Sequence, residues 1–262
     1  MADKITNGER VVPGGVDSAY ERFIYARHLF AYEHTAALLR QGLKVLEIGF
    51  GEGYGAAILA RSGAAIAAID NNKAAVDNAL ARGTPGVEFS FSPGPDLPFA
   101  GATFDAVAAF QFIEHIKNAG DMVSEIARVL KPGGRLYLTT PNRIHRLKEG
   151  QKPWYRFHVR EFSAEELKGL LAPFFARCEI RFVAGPRDLF EMELNVARAA
   201  SAVQRWDPLG LRNLIPYWLK KQAFKLFSRG TGQSRAPGVN ASDFRLLAED
   251  TDGLDLWAEA VK

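Results

Sequence analysis

The sequence offers almost nothing from which to build covalent cross-links, and it has no long apolar run. Cys178 is the one cysteine among 262 residues, so no disulfide can form within the chain. Its simplest interpretation is a small apolar side chain in the core of a protein from a reducing compartment. No stretch approaches the about 18 uncharged apolar residues of a membrane-spanning helix, and residues 1–15 show no signal-peptide pattern. We therefore expect a cytoplasmic protein.

Charge of one sign is also scarce. The formal net charge is +3, which is too small to predict nucleic-acid binding by itself. With 47% hydrophobic residues, the chain has the composition of a globular protein that buries a full core without cross-links. The length suits one large α/β domain, or one domain that carries a substantial insertion.

From residue 43 onward, short apolar segments alternate with helical segments. Helices are predicted over 56–61, 73–82 and 121–130 and from Ser163, where Ser163 and Glu166 have capping-box spacing. A turn is predicted over 131–134. Strands are predicted over residues 43–48, 64–69, 87–91, 105–110, 135–140, 179–183 and 254–261. This alternation predicts a Rossmann-like α/β fold, with a doubly wound, mostly parallel seven-stranded sheet and a helical insertion before the last strand.

The predicted organisation has four parts. An N-terminal arm and helix cover residues 1–41, and the helix starts at Ser18, which has capping-box spacing to Glu21. The α/β core covers residues 42–185. Residues 186–240 break the alternation and are predicted to form a helical insertion or lid, and residues 241–262 supply the closing strand of the core sheet.

A glycine-rich segment follows the first predicted strand. Gly49, Gly51 and Gly53 alternate after Glu47, and a helix begins soon afterwards. Glycines let the backbone turn sharply and let a ligand approach, and the N–H groups that open the next helix favour a negatively charged group. Asp70 ends the second strand, where an acid can accept hydrogen bonds from both hydroxyls of a ribose. Together these features predict a site for a ligand that contains a nucleoside.

The spacing of the glycines argues against a nicotinamide dinucleotide. The dinucleotide fingerprint requires a further glycine three residues after the second one, and counting from Gly51 that position holds Tyr54. A nicotinamide-dependent oxidoreductase on a similar sheet is therefore the less favoured of two interpretations.

The segment from Glu47 to Gly53 resembles the first motif of class I S-adenosylmethionine-dependent methyltransferases. Later motifs of this family occur in the same order, at Leu97–Phe99, at Phe104 and Asp105, at Phe112–Ile116 and at Leu130–Gly134. The resemblance covers about residues 20–185 and the closing strand. Within the family, the chain is similar to the group that methylates quinones, sugars and natural products. The resemblance implies S-adenosyl-L-methionine as the cofactor.

The resemblance implies a role for particular residues. Pro93 stands where relatives commonly have an acid that reads adenine, so Ser92, Asp96 or a backbone carbonyl is expected to replace that acid. The alternative is that adenine is held loosely. Related quinone O-methyltransferases carry a glutamate with a proposed metal role where this chain has Gln111, so we predict no metal at Glu114 and His115. The implied cofactor-binding residues are Glu47, Gly49, Gly51 and Gly53 for the methionine part, Asp70 for the ribose, Asn71 and Ser92 near the adenine, and Phe110 and Gln111 after the fourth strand.

Transfer to a hydroxyl requires a proton acceptor, and a histidine suits that role. His115 follows the fourth strand and His158 follows the fifth, so both are predicted at the edge of the sheet where ligands bind. We take His115 and His158 as the candidate catalytic residues. The alternative is that each is structural and that His158 anchors its loop.

The predicted function is O-methylation of a small-molecule acceptor, a sugar-like or natural-product hydroxyl. Residues 143–160 hold six Lys or Arg against one acid, and residues 205–235 hold seven against one, which favours an anionic acceptor. An apolar face from Pro216, including Trp218 and Phe227, predicts a lid helix, or contact with a membrane that carries a lipid-linked or quinone-type acceptor. A cofactor-binding protein without transferase activity is a further alternative. No nucleic-acid partner is expected, because no recognition module is appended, and the oligomeric state is left open.

Overall fold

The computed structural model describes residues 19–155, 157–206 and 238–262. The helices are α1 Ala19–Leu38, α2 Tyr54–Ala60, α3 Lys73–Arg82, α4 Ala119–Val129, α5 Arg143–Arg146, α6 Ala164–Leu171 and α7 Arg187–Trp206. The strands are β1 Lys44–Ile48, β2 Ala65–Asp70, β3 Val87–Phe91, β4 Phe104–Phe110, β5 Leu130–Pro141, β6 Arg177–Ala184, β7 Arg245–Leu247 and β8 Asp255–Val261.

The eight strands form one sheet in the order β3-β2-β1-β4-β5-β8-β6-β7. The first five strands are parallel to one another, whereas β8 runs antiparallel between β5 and β6. Since β1 lies beside both β2 and β4, the direction in which strands are added reverses at β1. In open α/β sheets a crevice forms outside the carboxyl ends of the strands at such a reversal.

Both faces of the sheet are covered. Val45 and Ala106 pack on the face that holds α1, α2 and α3, whereas Leu46 and Val107 pack on the face that holds α4 and α6. A strand buried on both faces is apolar throughout instead of alternating, which explains why the short apolar segments of the sequence mark these strands. Trp257 of β8 is fully buried on the α1 face.

The predicted doubly wound α/β fold is confirmed, with two corrections. In the part of the chain that the structure describes, the sheet has eight strands and not seven, because the short edge strand β7 pairs antiparallel with β6. The predicted turn at 131–134 lies within β5, where the pairing with β4 shifts between Phe104 and Ala106 and Gly133 takes a φ of 74°. The chain therefore bulges at this point without leaving the sheet.

The predicted helix signals agree with the structure where it describes them. Ser163 caps α6 and forms the predicted capping box with Glu166. The predicted cap at Ser18 and the predicted lid helix from Pro216 lie outside the described residues. Within the described ranges, none of the helices combines the length and the apolar character needed to span a membrane.

Candidate functional site

The glycine bend, residues 49–53, leaves the carboxyl end of β1. Gly49, Gly51 and Gly53 have φ values of 77°, 57° and 76°, in the left-handed region that favours glycine. A Cβ added at Gly49 would lie 3.1 Å from the Phe112 ring, and one at Gly53 would lie 3.2 Å from the Phe89 ring. At Gly51 an added Cβ would meet no described atom within 4 Å. The outer glycines are therefore packed against protein, and the middle one faces open space.

The Asp70 carboxylate lies on this bend. One oxygen accepts a hydrogen bond from the Gly51 amide at 2.8 Å, and the other accepts one from the Asn72 amide at 2.8 Å. The Ser92 amide donates to the Asp70 carbonyl at 3.0 Å, and the Ser92 side chain is buried beside it. The structure thus brings together Gly51, Asp70 and Ser92, whereas Asn71 is exposed next to them.

Glu47 lies below the bend, in a buried pair that the sequence did not reveal. The Tyr32 hydroxyl of α1 donates to one Glu47 oxygen at 2.8 Å, and the other oxygen has no hydrogen-bond partner among the described residues. Burial raises the pKa of Glu47 to about 8. A Cβ at Gly55 would overlap the Tyr32 ring at 2.1 Å, so this glycine admits the aromatic side chain. Gly55 was the only sequence signal for this contact.

Phe110 and Gln111 occupy the end of β4 in different ways. The Phe110 ring is buried between Tyr32, at a centroid distance of 4.9 Å, and Trp257, at 6.0 Å. Gln111 has a φ of 49°, which is uncommon outside glycine, and its side-chain amide donates to the Thr139 hydroxyl at 3.3 Å. Gln111 therefore ties the loop after β4 to β5, and the Phe110 ring belongs to the core beside the crevice.

The two candidate catalytic histidines meet, although they come from different loops. The rings of His115 and His158 lie edge to face with centroids 5.0 Å apart. His115 Nδ1 is 3.0 Å from the Phe157 carbonyl oxygen, and His158 Nδ1 is 2.8 Å from a Glu161 oxygen. Burial lowers the pKa of His115 to about 4 and also lowers that of His158, against the opposing effect of Glu161. Both imidazoles are therefore neutral at neutral pH.

A buried charge network supports His158, and sequence reasoning missed it. Arg146 donates to Glu161 at 3.0 Å, pairs with Glu193 of α7 and lies over the Trp154 ring at 5.0 Å. Burial raises the pKa of Glu161, but Arg146 and His158 outweigh it, so that the pKa is lowered overall. No local sequence pattern predicts such a network, because its members are distant in the chain and meet only in the folded protein.

Glu114 completes the group around the histidines. The metal-ligating atoms of Glu114, His115 and His158 lie within 4.8 Å of one another. Glu114 is fully buried, accepts a hydrogen bond from the Thr140 hydroxyl at 3.0 Å, and has its pKa raised by burial to about 8. Metal binding at this group would require the Glu114 carboxyl to be deprotonated. The absence of a metal here stays a prediction.

Comparison with known proteins gives both a family match and structural likeness. Residues 46–138 match the model of a methyltransferase domain. A Mycolicibacterium smegmatis protein named "Probable S-adenosylmethionine-dependent methyltransferase" is 39% identical over 164 residues, which is 63% of this chain and 62% of that protein. The chain therefore spans less than two thirds of that relative.

One further protein is similar in sequence to part of this chain, and one solved structure is similar in fold to most of it. A Paracidovorax citrulli protein named "Ubiquinone biosynthesis O-methyltransferase" is 35% identical over 108 residues, which is 39% of this chain and 45% of that protein. A solved S-adenosylmethionine-dependent methyltransferase of Thermotoga maritima superposes with a TM-score of 0.59 at 17% identity, covering 93% of this chain and 94% of that one. The structural likeness concerns the fold alone.

Proposed function

We propose that this chain is an S-adenosylmethionine-dependent methyltransferase that methylates a small-molecule hydroxyl in the cytoplasm. The match of residues 46–138 to a methyltransferase domain model, the similar Mycolicibacterium smegmatis protein and the shared fold support this proposal. S-adenosyl-L-methionine is the methyl donor, and it supplies an electrophilic methyl group on a sulfonium. The protein supplies alignment, exclusion of water and a place for the proton that leaves the hydroxyl.

One observation carries the proposal: the Asp70 carboxylate, at the end of β2, is hydrogen-bonded to the middle of the glycine bend. Its two backbone donors, the amides of Gly51 and Asn72, orient both carboxylate oxygens at the end of β2. An acid at this position can accept hydrogen bonds from both ribose hydroxyls of an adenosyl group. The open space at Gly51 is where such a group approaches the backbone without meeting a side chain.

The hydroxyl acceptor is supported by the paired imidazoles. His115 and His158 are neutral at neutral pH, and a neutral imidazole accepts the proton that a hydroxyl loses when its oxygen is methylated. The name of the Paracidovorax citrulli relative, an O-methyltransferase, also supports this acceptor class.

The test uses the full chain and a panel of hydroxyl acceptors: a nucleotide-linked sugar, a free sugar and a catechol. Calorimetry measures binding of S-adenosylhomocysteine, and chromatography measures its formation from S-adenosylmethionine with each acceptor. We expect binding, and product formation that depends on one acceptor class. Binding without product for any acceptor would favour a cofactor-binding protein, and no binding would contradict the proposal as a whole.

A lipid-linked or quinone-type acceptor at a membrane surface is the second candidate, and one observation favours it. The side chains of Ile144 and Val159 are 55% and 47% exposed, on segments joined by a hydrogen bond from the Arg143 amide to the Phe162 carbonyl. We expect sedimentation with vesicles containing phosphatidylglycerol at low salt, reduced in an Ile144→Ser, Val159→Ser variant. An absence of sedimentation would remove this candidate, and the matched control is Leu80→Ser, a 55% exposed side chain on α3.

A further inference from the structure

We infer that Glu161 is a positioning residue that makes His158, and not His115, the acceptor of the proton from the substrate hydroxyl. The inference rests on the proposed function and deepens it, because it assigns different roles to two imidazoles that the sequence could not distinguish.

The hydrogen bonds fix which nitrogen of each ring carries the proton. A carboxylate and a carbonyl oxygen only accept, so Nδ1 of His158 donates to Glu161 at 2.8 Å and Nδ1 of His115 donates to the Phe157 carbonyl at 3.0 Å. In the neutral ring the proton is then on Nδ1, and Nε2 keeps its lone pair. Both rings therefore present a basic Nε2, and the tautomer alone does not choose between them.

The partner of each Nδ1 makes the choice. Methyl transfer moves one positive charge from the sulfonium to whichever imidazole takes the proton. His158 faces a carboxylate that is 1% exposed, and a buried carboxylate stabilises an imidazolium much more than a neutral carbonyl does. The Nδ1 of His115 donates to the neutral Phe157 carbonyl, and among the described residues no hydrogen bond joins its ring to a carboxylate. A Glu114 carboxyl oxygen lies within 4.8 Å of a nitrogen of each histidine, so it does not single out His115.

Arg146 holds Glu161 in place. The guanidinium donates to both Glu161 oxygens, at 3.0 Å and 3.4 Å, and it also pairs with Glu193 of α7. Glu161 is thus shared between a fixed cation and His158, and it cannot turn away without leaving Arg146 incompletely paired in a buried site. This arrangement sets the orientation of the His158 ring from three separate segments of the chain.

In the transfer step, the acceptor hydroxyl gives its proton to His158 Nε2 while its oxygen forms a bond to the methyl carbon. The electron pair of the breaking carbon–sulfur bond stays on sulfur, so the products are the methyl ether, S-adenosylhomocysteine and a His158 imidazolium paired with Glu161. The proton then leaves to solvent, and no oxidant or further reactant is needed.

The first test reads the tautomers directly and needs no acceptor. In the full chain labelled with ¹⁵N-histidine, His158 is assigned from the signals lost in His158→Gln. At pH 7.5 we expect a protonated Nδ1 and a bare Nε2, and in Glu161→Gln a shift of population towards the Nε2–H form, because an amide group can donate to Nδ1. A wild-type His158 that carries its proton on Nε2, or an Nε2 signal that moves on adding a chelator, would overturn the inference.

The second test separates positioning from folding. With an acceptor from the screen above, Glu161→Gln is expected to lower kcat about 10- to 100-fold with KM unchanged, less than the about 10²–10⁴-fold contribution of a general base itself. Glu161→Asp should recover part of the loss, since it keeps the charge. Glu149→Gln makes the same chemical change at an exposed site in the same loop and should leave kcat unchanged.

The outcomes distinguish the two proposals. If the wild type forms no S-adenosylhomocysteine with any acceptor, the proposed function fails, and the tautomer measurement still decides whether Glu161 orients His158. If the wild type is active and His115→Gln lowers kcat as much as His158→Gln does, or Glu161→Gln leaves kcat unchanged, then the inference fails and the methyltransferase proposal remains.

Discussion

The two sides of the crevice are built from different materials. The proposed cofactor side consists mostly of backbone, with three glycines and two amides beside the Asp70 carboxylate, all within the first two strands and their connections. The proposed acceptor side consists of buried charged side chains, Arg146, Glu161 and Glu193, together with two histidines. Backbone geometry follows from local sequence, whereas a buried charge network depends on segments that meet only after folding. We therefore expect the first side to be sensitive to substitution of its glycines. The second side is expected to be sensitive to substitutions that break an ion pair.

The largest effect is expected where that pairing is broken. Arg146→Ala leaves Glu161 and Glu193 buried without their shared cation, which should cost about 3–5 kcal/mol of the free energy of unfolding. Denaturant unfolding measures this change. Arg143→Ala, which removes a half-exposed partner of Glu166, should cost only about 0–1 kcal/mol. Equal losses in the two variants would mean that the network contributes no more than a surface ion pair.

A smaller effect is expected from the buried acid on the cofactor side. The pKa of Glu47 is raised to about 8, so the folded chain holds a proton that the unfolded chain releases near its ordinary value. The free energy of unfolding should therefore fall as pH rises from about 4.5 to about 8, by about 3–4 kcal/mol.

Glu47→Gln keeps the acceptor for the Tyr32 hydroxyl but does not titrate, so it should flatten this part of the profile. Unfolding measured in urea at pH 5, 6.5 and 8 gives the comparison. A slope that is unchanged in Glu47→Gln would show that other groups, such as the buried Asp255 with its pKa raised to about 6, account for the whole pH dependence.

A loss of ligand affinity on the cofactor side should be comparable to or smaller than these losses of stability. Asp70→Ala is expected to weaken binding of S-adenosylhomocysteine by about 1–3 kcal/mol, because a charge-assisted pair of hydrogen bonds is lost. Calorimetry measures it, with the exposed Asp77→Ala on α3 as the matched control. Affinity equal to that of the wild type would count heavily against the assignment of Asp70 to the ribose.

The smallest effect is expected from the helix cap at the start of α6. Ser163→Ala removes the side-chain acceptor for the Glu166 amide at the start of α6, which should lower the free energy of unfolding by about 1 kcal/mol. It should leave cofactor binding unchanged, since α6 packs on the opposite face of the sheet from the α1 cluster. A loss of binding in this variant would show that the cap acts on the site through Glu166 and Arg143.

The sequence was sufficient for the parts of the molecule that local chemistry determines. The helix over 73–82 and the strand over 87–91 lie where they were predicted, because Asn72, Gly83 and short apolar segments are local signals. The convergence of Gly51 and Asp70 followed from the motif, although their roles in binding are still predictions. The edge strand Arg245–Leu247 was missed because three residues carry too little periodicity to be recognised.

The sequence was insufficient for the acceptor side. His115 and His158 could be placed at the same edge of the sheet, but nothing local showed that their rings would touch or that Glu161 would accept from one of them. Arg146 was counted among the six basic residues of 143–160 that favour an anionic acceptor, whereas it is buried and paired with Glu161 and Glu193. Part of the positive charge that the composition showed is therefore internal and already paired.

The position of β8 has a consequence for how the chain acquires its fold during synthesis. Strands β1 to β5 find neighbours among segments made at about the same time, but β8 is inserted between β5 and β6, both of which leave the ribosome well before it. Until residues 255–261 emerge, the facing edges of β5 and β6 have unpaired backbone groups, which are templates for aggregation. We therefore expect the middle of the sheet to close last, in the step that buries Trp257.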